Sequence, residues 1–108
     1  MKPYKMIAFD MDGTLLNSQK EISEKTVAAM KRAMDHGFTV MLNTGRCMAE
    51  LYKYFDVVDI PYVNSVSGAL VLDRRHNRAV FEKGLTPELA EQVLAIAAKE
   101  DVMIHILT

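Results

Sequence analysis

Two short apolar runs separated by one amphipathic stretch constrain this chain more than any other feature. Met6 to Phe9 and Phe38 to Leu42 are continuous apolar segments of strand length, and between them Val27, Met30, Ala33 and Met34 recur at three- and four-residue spacing. Continuous runs suit strands covered on both faces, and the intervening spacing suits a helix with one apolar stripe. Lys25, Lys31, Arg32 and Asp35 fall largely on its other side. Ser23 stands where a hydroxyl can accept from a free N–H of the first turn, and Gly37 where a helix can stop at positive φ. Strand, helix, strand in this order predicts a parallel pair joined by a crossover helix.

The rhythm continues with a second helix over Met48 to Phe55 and a third short strand around Tyr62, Val63 and Val66. It then changes. Ala69 to Leu72 and Ala79 to Phe81 flank the polar turn Asp73–Arg78, which predicts a hairpin with a long loop and a solvated tip at Arg74 and Arg75. Thr86 caps a further helix with Pro87 at its first position, where a missing N–H costs nothing, and Leu89, Val93, Ile96 and Ala97 form its apolar stripe. Val102 to Leu107 reads as a last strand. The fold class expected is therefore α/β: the first part of a doubly wound parallel sheet over residues 1–67, then the start of an α+β unit over 68–108.

With 108 residues, half of them apolar and a quarter charged, the chain has the balance of one soluble globular domain with a single modest core. Its net charge of −1, with Lys and Arg scattered among Asp and Glu, argues against a nucleic-acid footprint or a basic membrane-binding face. One cysteine, Cys47, excludes an intrachain disulfide, and the first ten residues lack the apolar core and cleavage site of a signal peptide. No segment nears the roughly 20 apolar residues that span a bilayer. A cytoplasmic protein is the expectation.

The chemistry concentrates in Phe9-Asp10-Met11-Asp12-Gly13-Thr14-Leu15, placed directly after the first strand. Ligands of open α/β sheets bind at the carboxyl ends of the strands. Two carboxylates one residue apart can divide the work there, one attacking as a nucleophile and the other exchanging protons. A divalent cation nearby would keep Asp10 ionised and draw charge off a phosphoryl oxygen. Asn43-Thr44-Gly45-Arg46 ends the second strand, and a Thr hydroxyl followed by backbone N–H groups is a natural phosphate ligand. On a parallel sheet both segments reach the same edge. His36, His76 and His105 share no metal-ligand spacing and are expected to be structural or solvent-facing, Cys47 to be a small buried side chain, and the eight Met residues core filler.

The first of these segments resembles the first signature motif of the haloacid dehalogenase superfamily, and Asn43-Thr44-Gly45-Arg46 resembles its second. Asn64-Ser65-Val66-Ser67-Gly68-Ala69-Leu70-Val71 is similar to the segment that leads into the cap domain of the Cof-like sugar-phosphate phosphatase branch, except that Ser67 stands where the branch usually has Asn. The resemblance implies that Asp10 is the nucleophile, forming an aspartyl-phosphate, and a Mg²⁺ ligand. It implies that Asp12 is the general acid and base and touches the metal through its carbonyl. Thr44 and Gly45 would bind the phosphoryl group, and Arg46 would contact substrate or cap. A second Asp is the mark of the superfamily's phosphatases and phosphomutases. The implied substrate is a small phosphorylated metabolite such as a sugar phosphate. The family's lysine and acidic pair, which complete such a site, have no counterpart here. The chain alone is accordingly expected to be catalytically incomplete, and a folded form to bury the open side of its first strand by self-association.

Overall fold

The computed structural model describes residues 3–106, and they form one mixed sheet of five strands in the order β1-β2-β3-β4-β5. The strands are β1 (Met6–Phe9), β2 (Thr39–Asn43), β3 (Tyr62–Ser65), β4 (Leu70–Asp73) and β5 (Arg78–Glu82). The first two pairings, β1 with β2 and β2 with β3, are parallel, and the last two are antiparallel. The helices are α1 (Glu24–Asp35), α2 (Tyr52–Phe55) and α3 (Pro87–Ala97). The expected crossover and hairpin are both present.

Helix α1 begins at Ser23, whose hydroxyl accepts the Thr26 N–H at 3.2 Å, one of the donors that a helix start leaves free. It lays Met30 into the core, with Val27, Ala33 and Met34 partly buried beside it. Register places Ile7 beside Val40, and Phe9 beside Leu42 and then Val63, so these side chains share one face of the sheet. Val40, Leu42 and Val63 join Met11, Leu15, Leu51, Tyr54 and Ile60 in a single cluster.

The strand β1 was expected to be covered on both faces, but its exposure alternates, with Met6 and Ala8 open on one face. It is also an edge strand, since among the described residues only β2 pairs with it. The second helix is shorter than its sequence suggests. Met48–Glu50 is a 3₁₀ turn, and one α-helical turn follows. Leu51 and Tyr54 are in the core, and Met48 and Phe55 pack against it.

Thr86 caps α3 as expected, its hydroxyl accepting the Leu89 N–H at 3.2 Å. The apolar stripe is not buried, however: Leu89, Val93 and Ile96 are exposed and Ala97 is only half-buried. Nor is Val102 to Leu107 a strand: residues 102–106 pair with nothing in the sheet, and Leu107 lies outside the described residues. With α3 and this tail standing off the sheet, the radius of gyration is 16.8 Å. About 13 Å is usual for a chain of roughly 100 residues.

The hairpin loop is held by Asp73, which is 2% exposed. Its carboxylate accepts from the His76 backbone N–H at 3.2 Å, bonds His76 Nδ1 at 2.7 Å and faces Arg78 Nε at 3.6 Å. The His76 hydrogen bond holds the Asp73 carboxyl below its usual pKa, against burial, which pushes it up. A carboxyl with a depressed folded-state pKa stabilises the fold above its unfolded value, about 3.9, and that stability is lost as pH falls further. Asp73→Asn is therefore expected to flatten the decline in urea midpoint below about pH 4. An unchanged acid limb in the variant would place the titration elsewhere.

Arg74, expected at a solvated tip, instead turns inward. Its guanidinium donates to the Ile60 carbonyl at 2.6 Å and to Asp59 at 3.0 Å, and lies 3.8 Å from the centre of the Phe55 ring. Arg75 is exposed as expected.

Candidate active site

Asp10 follows the last residue of β1 and Thr44 the last of β2, and Phe9 pairs with Leu42 across the parallel ladder. The two sequence segments therefore meet at one edge of the sheet. The loop after β1 has a clear internal logic. Met11 is fully buried and anchors it, so Asp10 and Asp12 on either side stay exposed. Gly13, at φ 76, makes the turn that a residue with a Cβ would resist. The turn closes with Leu15 N–H donating to the Asp10 carbonyl and Leu16 N–H to that of Met11, at 3.1 and 2.9 Å.

The two carboxylates have unlike surroundings. Asp10 accepts only a long bond from the Thr14 hydroxyl, at 3.4 Å, and has no cation beside it among the described residues. Asp12 is gripped from two sides. Arg46 donates to it through Nε at 2.8 Å and through a terminal nitrogen at 2.7 Å, and Lys20 Nζ donates at 3.1 Å. The Arg46 bonds first, then Lys20, hold the Asp12 carboxyl far below the usual carboxylate range, and Asp12 in turn raises Arg46. Held in this way, Asp12 is a fixed anion. It can supply a proton only after Arg46 and Lys20 let go.

Thr44 is buried at the end of β2, and its hydroxyl accepts the Arg46 backbone N–H at 3.1 Å. Its own O–H stays available to donate. The neighbouring loop after β3 closes on this turn. Ser67 N–H donates to the Thr44 carbonyl at 3.1 Å and Val66 N–H to the Arg46 carbonyl at 3.0 Å. A Cβ on Gly45 would stand 3.2 Å from the Ser67 hydroxyl, so the two loops approach as closely as glycine permits. Val66 and Ser67 take φ 49 and 52, left-handed values that residues with a Cβ rarely adopt. Such strain persists where the surroundings enforce it, commonly at functional sites.

All five residues singled out in the sequence thus lie at this edge. Arg46, expected to face substrate or cap, binds Asp12. Lys20 and Tyr54 were not anticipated. Lys20 comes eight residues after Asp12 in a polar turn, and nothing in the local pattern distinguishes it. The histidines lie apart from the site: His36 Nδ1 is 2.7 Å from the Arg32 carbonyl at the end of α1, and His105 is 3.1 Å from the Met103 sulfur. Cys47 is half-buried beside the Arg46 turn.

The donors present suit a divalent cation in kind. Magnesium takes hard oxygen ligands, commonly one or two carboxylates completed by phosphate and water. Asp10 offers such a carboxylate, and Asp12 has its main-chain carbonyl to add while its side chain is engaged. In number the set is short, since no group of three or more His, Cys, Asp or Glu residues gathers among the described residues.

Taken together, the sheet and its loops form an α/β fold whose candidate site lies at the carboxyl ends of two adjacent parallel strands. The profile of the haloacid dehalogenase-like hydrolases matches residues 7–108. The chain is 38% identical to the Bacillus subtilis protein YxeH over 86 residues, 76% of this chain and 32% of that protein. It is 41% identical over 66 residues to the 5-amino-6-(5-phospho-D-ribitylamino)uracil phosphatase YwtE of the same organism, covering 61% of this chain and 23% of the relative. Among solved structures, a haloacid dehalogenase-like hydrolase from Bacteroides thetaiotaomicron superposes with a TM-score of 0.82 at 25% identity, over 90% of this chain and 38% of that one. The chain belongs to the haloacid dehalogenase-like hydrolase family, and it spans about a third or less of the length of the curated relatives it matches. No helix among the described residues is long and apolar enough to cross a membrane.

Proposed function

We propose that this chain carries the nucleophile-bearing part of a cytoplasmic phosphatase that hydrolyses small phosphorylated metabolites through an aspartyl-phosphate. The observation that supports it best is the contrast between two exposed carboxylates on one loop, Asp10 with no cation beside it among the described residues and Asp12 held as an anion. Asp10 is the one able to attack phosphorus. Thr44 donates its O–H to a phosphoryl oxygen, and the exposed Gly45 offers its backbone N–H beside it. Asp12 takes the proton from the attacking water in the second step, for which its anionic state is the correct one. In the first step it protonates the leaving oxygen, which requires that Arg46 and Lys20 release it and that it first take up a proton from solvent.

Asp10, through its carboxylate, and Asp12, through its carbonyl, would hold Mg²⁺, which when bound neutralises charge on the phosphoryl oxygens. A sugar phosphate or similar compound is the proposed substrate class, supported by YwtE, whose name specifies a phosphorylated ribityl compound. The division into a core portion, 1–67, and the beginning of a cap, 68–108, is proposed on the change from parallel to antiparallel pairing at β3, although the sheet is continuous there. The short ligand set favours a second reading of the isolated chain, as an incomplete piece that folds but does not turn over and covers the β1 edge by self-association.

The deciding experiment is phosphate release from an aryl phosphate, with and without magnesium. Release that depends on magnesium supports the phosphatase reading. A folded sample that releases none under either condition leaves this chain an incomplete piece.

A further inference from the structure

Asp12 is held by two cations that come from different parts of the chain, and both converge on one buried side chain. Tyr54 is 3% exposed. Its hydroxyl donates to the Lys20 carbonyl at 2.8 Å, and the Arg46 guanidinium carbon lies 5.7 Å from the centre of its ring. Lys20 has φ 60, a left-handed conformation that its Cβ opposes. The turn that imposes this value is built deliberately. The Asn17 side chain accepts from Gln19 N–H and Glu21 N–H, both at 3.0 Å, and Lys20 N–H donates to the Asn17 carbonyl, also at 3.0 Å. Among the described residues, the Tyr54 hydroxyl makes the side-chain hydrogen bond that ties this turn to the core. From there Lys20 Nζ reaches Asp12 Oδ1, while Arg46, lying against the ring, forks onto both oxygens of the same carboxylate.

We infer that Tyr54 is a positioning residue for Asp12, its ring orienting Arg46 and its hydroxyl orienting Lys20, so that the Asp12 carboxylate has one direction at the sheet edge. The effect on chemistry rests on the phosphatase reading above; the effect on geometry does not. A proton-transferring group works only within hydrogen-bond reach of the atom it serves, so loss of its orientation lowers turnover more than substrate binding.

The test uses the ¹⁵N-labelled chain, with Tyr54→Phe and Tyr54→Leu beside it. Hydrogen exchange is followed at the Arg46 Nε–H and at the Lys20 and Glu21 amides, with the β2 and β3 amides as a control for the fold. In Tyr54→Phe the Lys20 and Glu21 amides are expected to exchange about tenfold faster or more, with Arg46 Nε–H unchanged. In Tyr54→Leu the Arg46 Nε–H is expected to lose its protection as well. Wild-type rates at Lys20 and Glu21 in Tyr54→Phe would overturn the inference. So would loss of protection in β2 and β3 equal to that at Lys20, because Tyr54 would then be a core residue and nothing more. Should Tyr54→Leu fail to fold, the Phe variant decides alone. In a sample that turns over, Tyr54→Phe should lower kcat and leave KM within about twofold. Absence of turnover in the wild type would count against the phosphatase reading, and the exchange rates would still judge this one.

Discussion

Asp10→Asn is expected to remove magnesium-dependent phosphate release by a factor on the order of 10⁴ or more, while leaving the fold and its urea midpoint almost unchanged. Both halves of that expectation come from the same geometry. Asp10 lies exposed beyond the last residue of β1, and among the described residues its only side-chain bond is the 3.4 Å contact with Thr14. Little structure depends on its charge. Asparagine has nearly the same shape but neither the charge to hold a cation nor the oxygen nucleophile to form an acyl phosphate. Phosphoprotein that survives acid but is cleaved by hydroxylamine should appear in the wild type during turnover and be absent from the variant. Retention of more than a few per cent of activity by the variant would move the nucleophile to another residue.

The second large effect concerns stability. Leu42 is fully buried in the centre of the parallel strands, with Phe9 beside it on one side and Val63 on the other. Truncation to alanine removes most of the side chain where three strands and α1 meet, and the paired backbones on both sides cannot collapse to fill the space. Leu42→Ala is expected to cost about 2–5 kcal/mol in urea unfolding. A domain of this size has only about 5–15 kcal/mol to lose. A loss below about 1 kcal/mol would place the packed core away from the β1–β2–β3 face.

Much of the site was legible because its residues are local in sequence. The Asp10–Gly13 loop follows an apolar run at once, and the Asn43–Arg46 turn follows another, so strand direction alone brings them to one edge. The caps at Ser23 and Thr86 were legible for the same reason, since each acts within three residues. What escaped depends on long-range partners. The grip of Arg46 on Asp12 spans 34 residues, as does that of Tyr54 on Lys20. Periodicity does not register such contacts. The exposed stripe on α3 and the unpaired residues 102–106 show the converse, because an apolar pattern states a need for cover without supplying it. The second helix was legible as a helical stripe, since Met48, Leu51, Tyr54 and Phe55 all reach or pack on the core, but the pattern does not tell a 3₁₀ turn from an α-helix.

Arg74 makes the hairpin part of the body that carries the site. By stacking on Phe55 and bonding the Ile60 carbonyl, it fastens the start of the hairpin loop to the segment just before β3. Pairing extends that connection along β4 and β5 as far as Lys83, whose N–H donates to the Ala69 carbonyl at 2.8 Å. One continuous ladder therefore runs from the strand that leads into Asp10 to the residue before Gly84, and a change that loosens the hairpin is transmitted through β3 and β2 to the turn that carries Thr44.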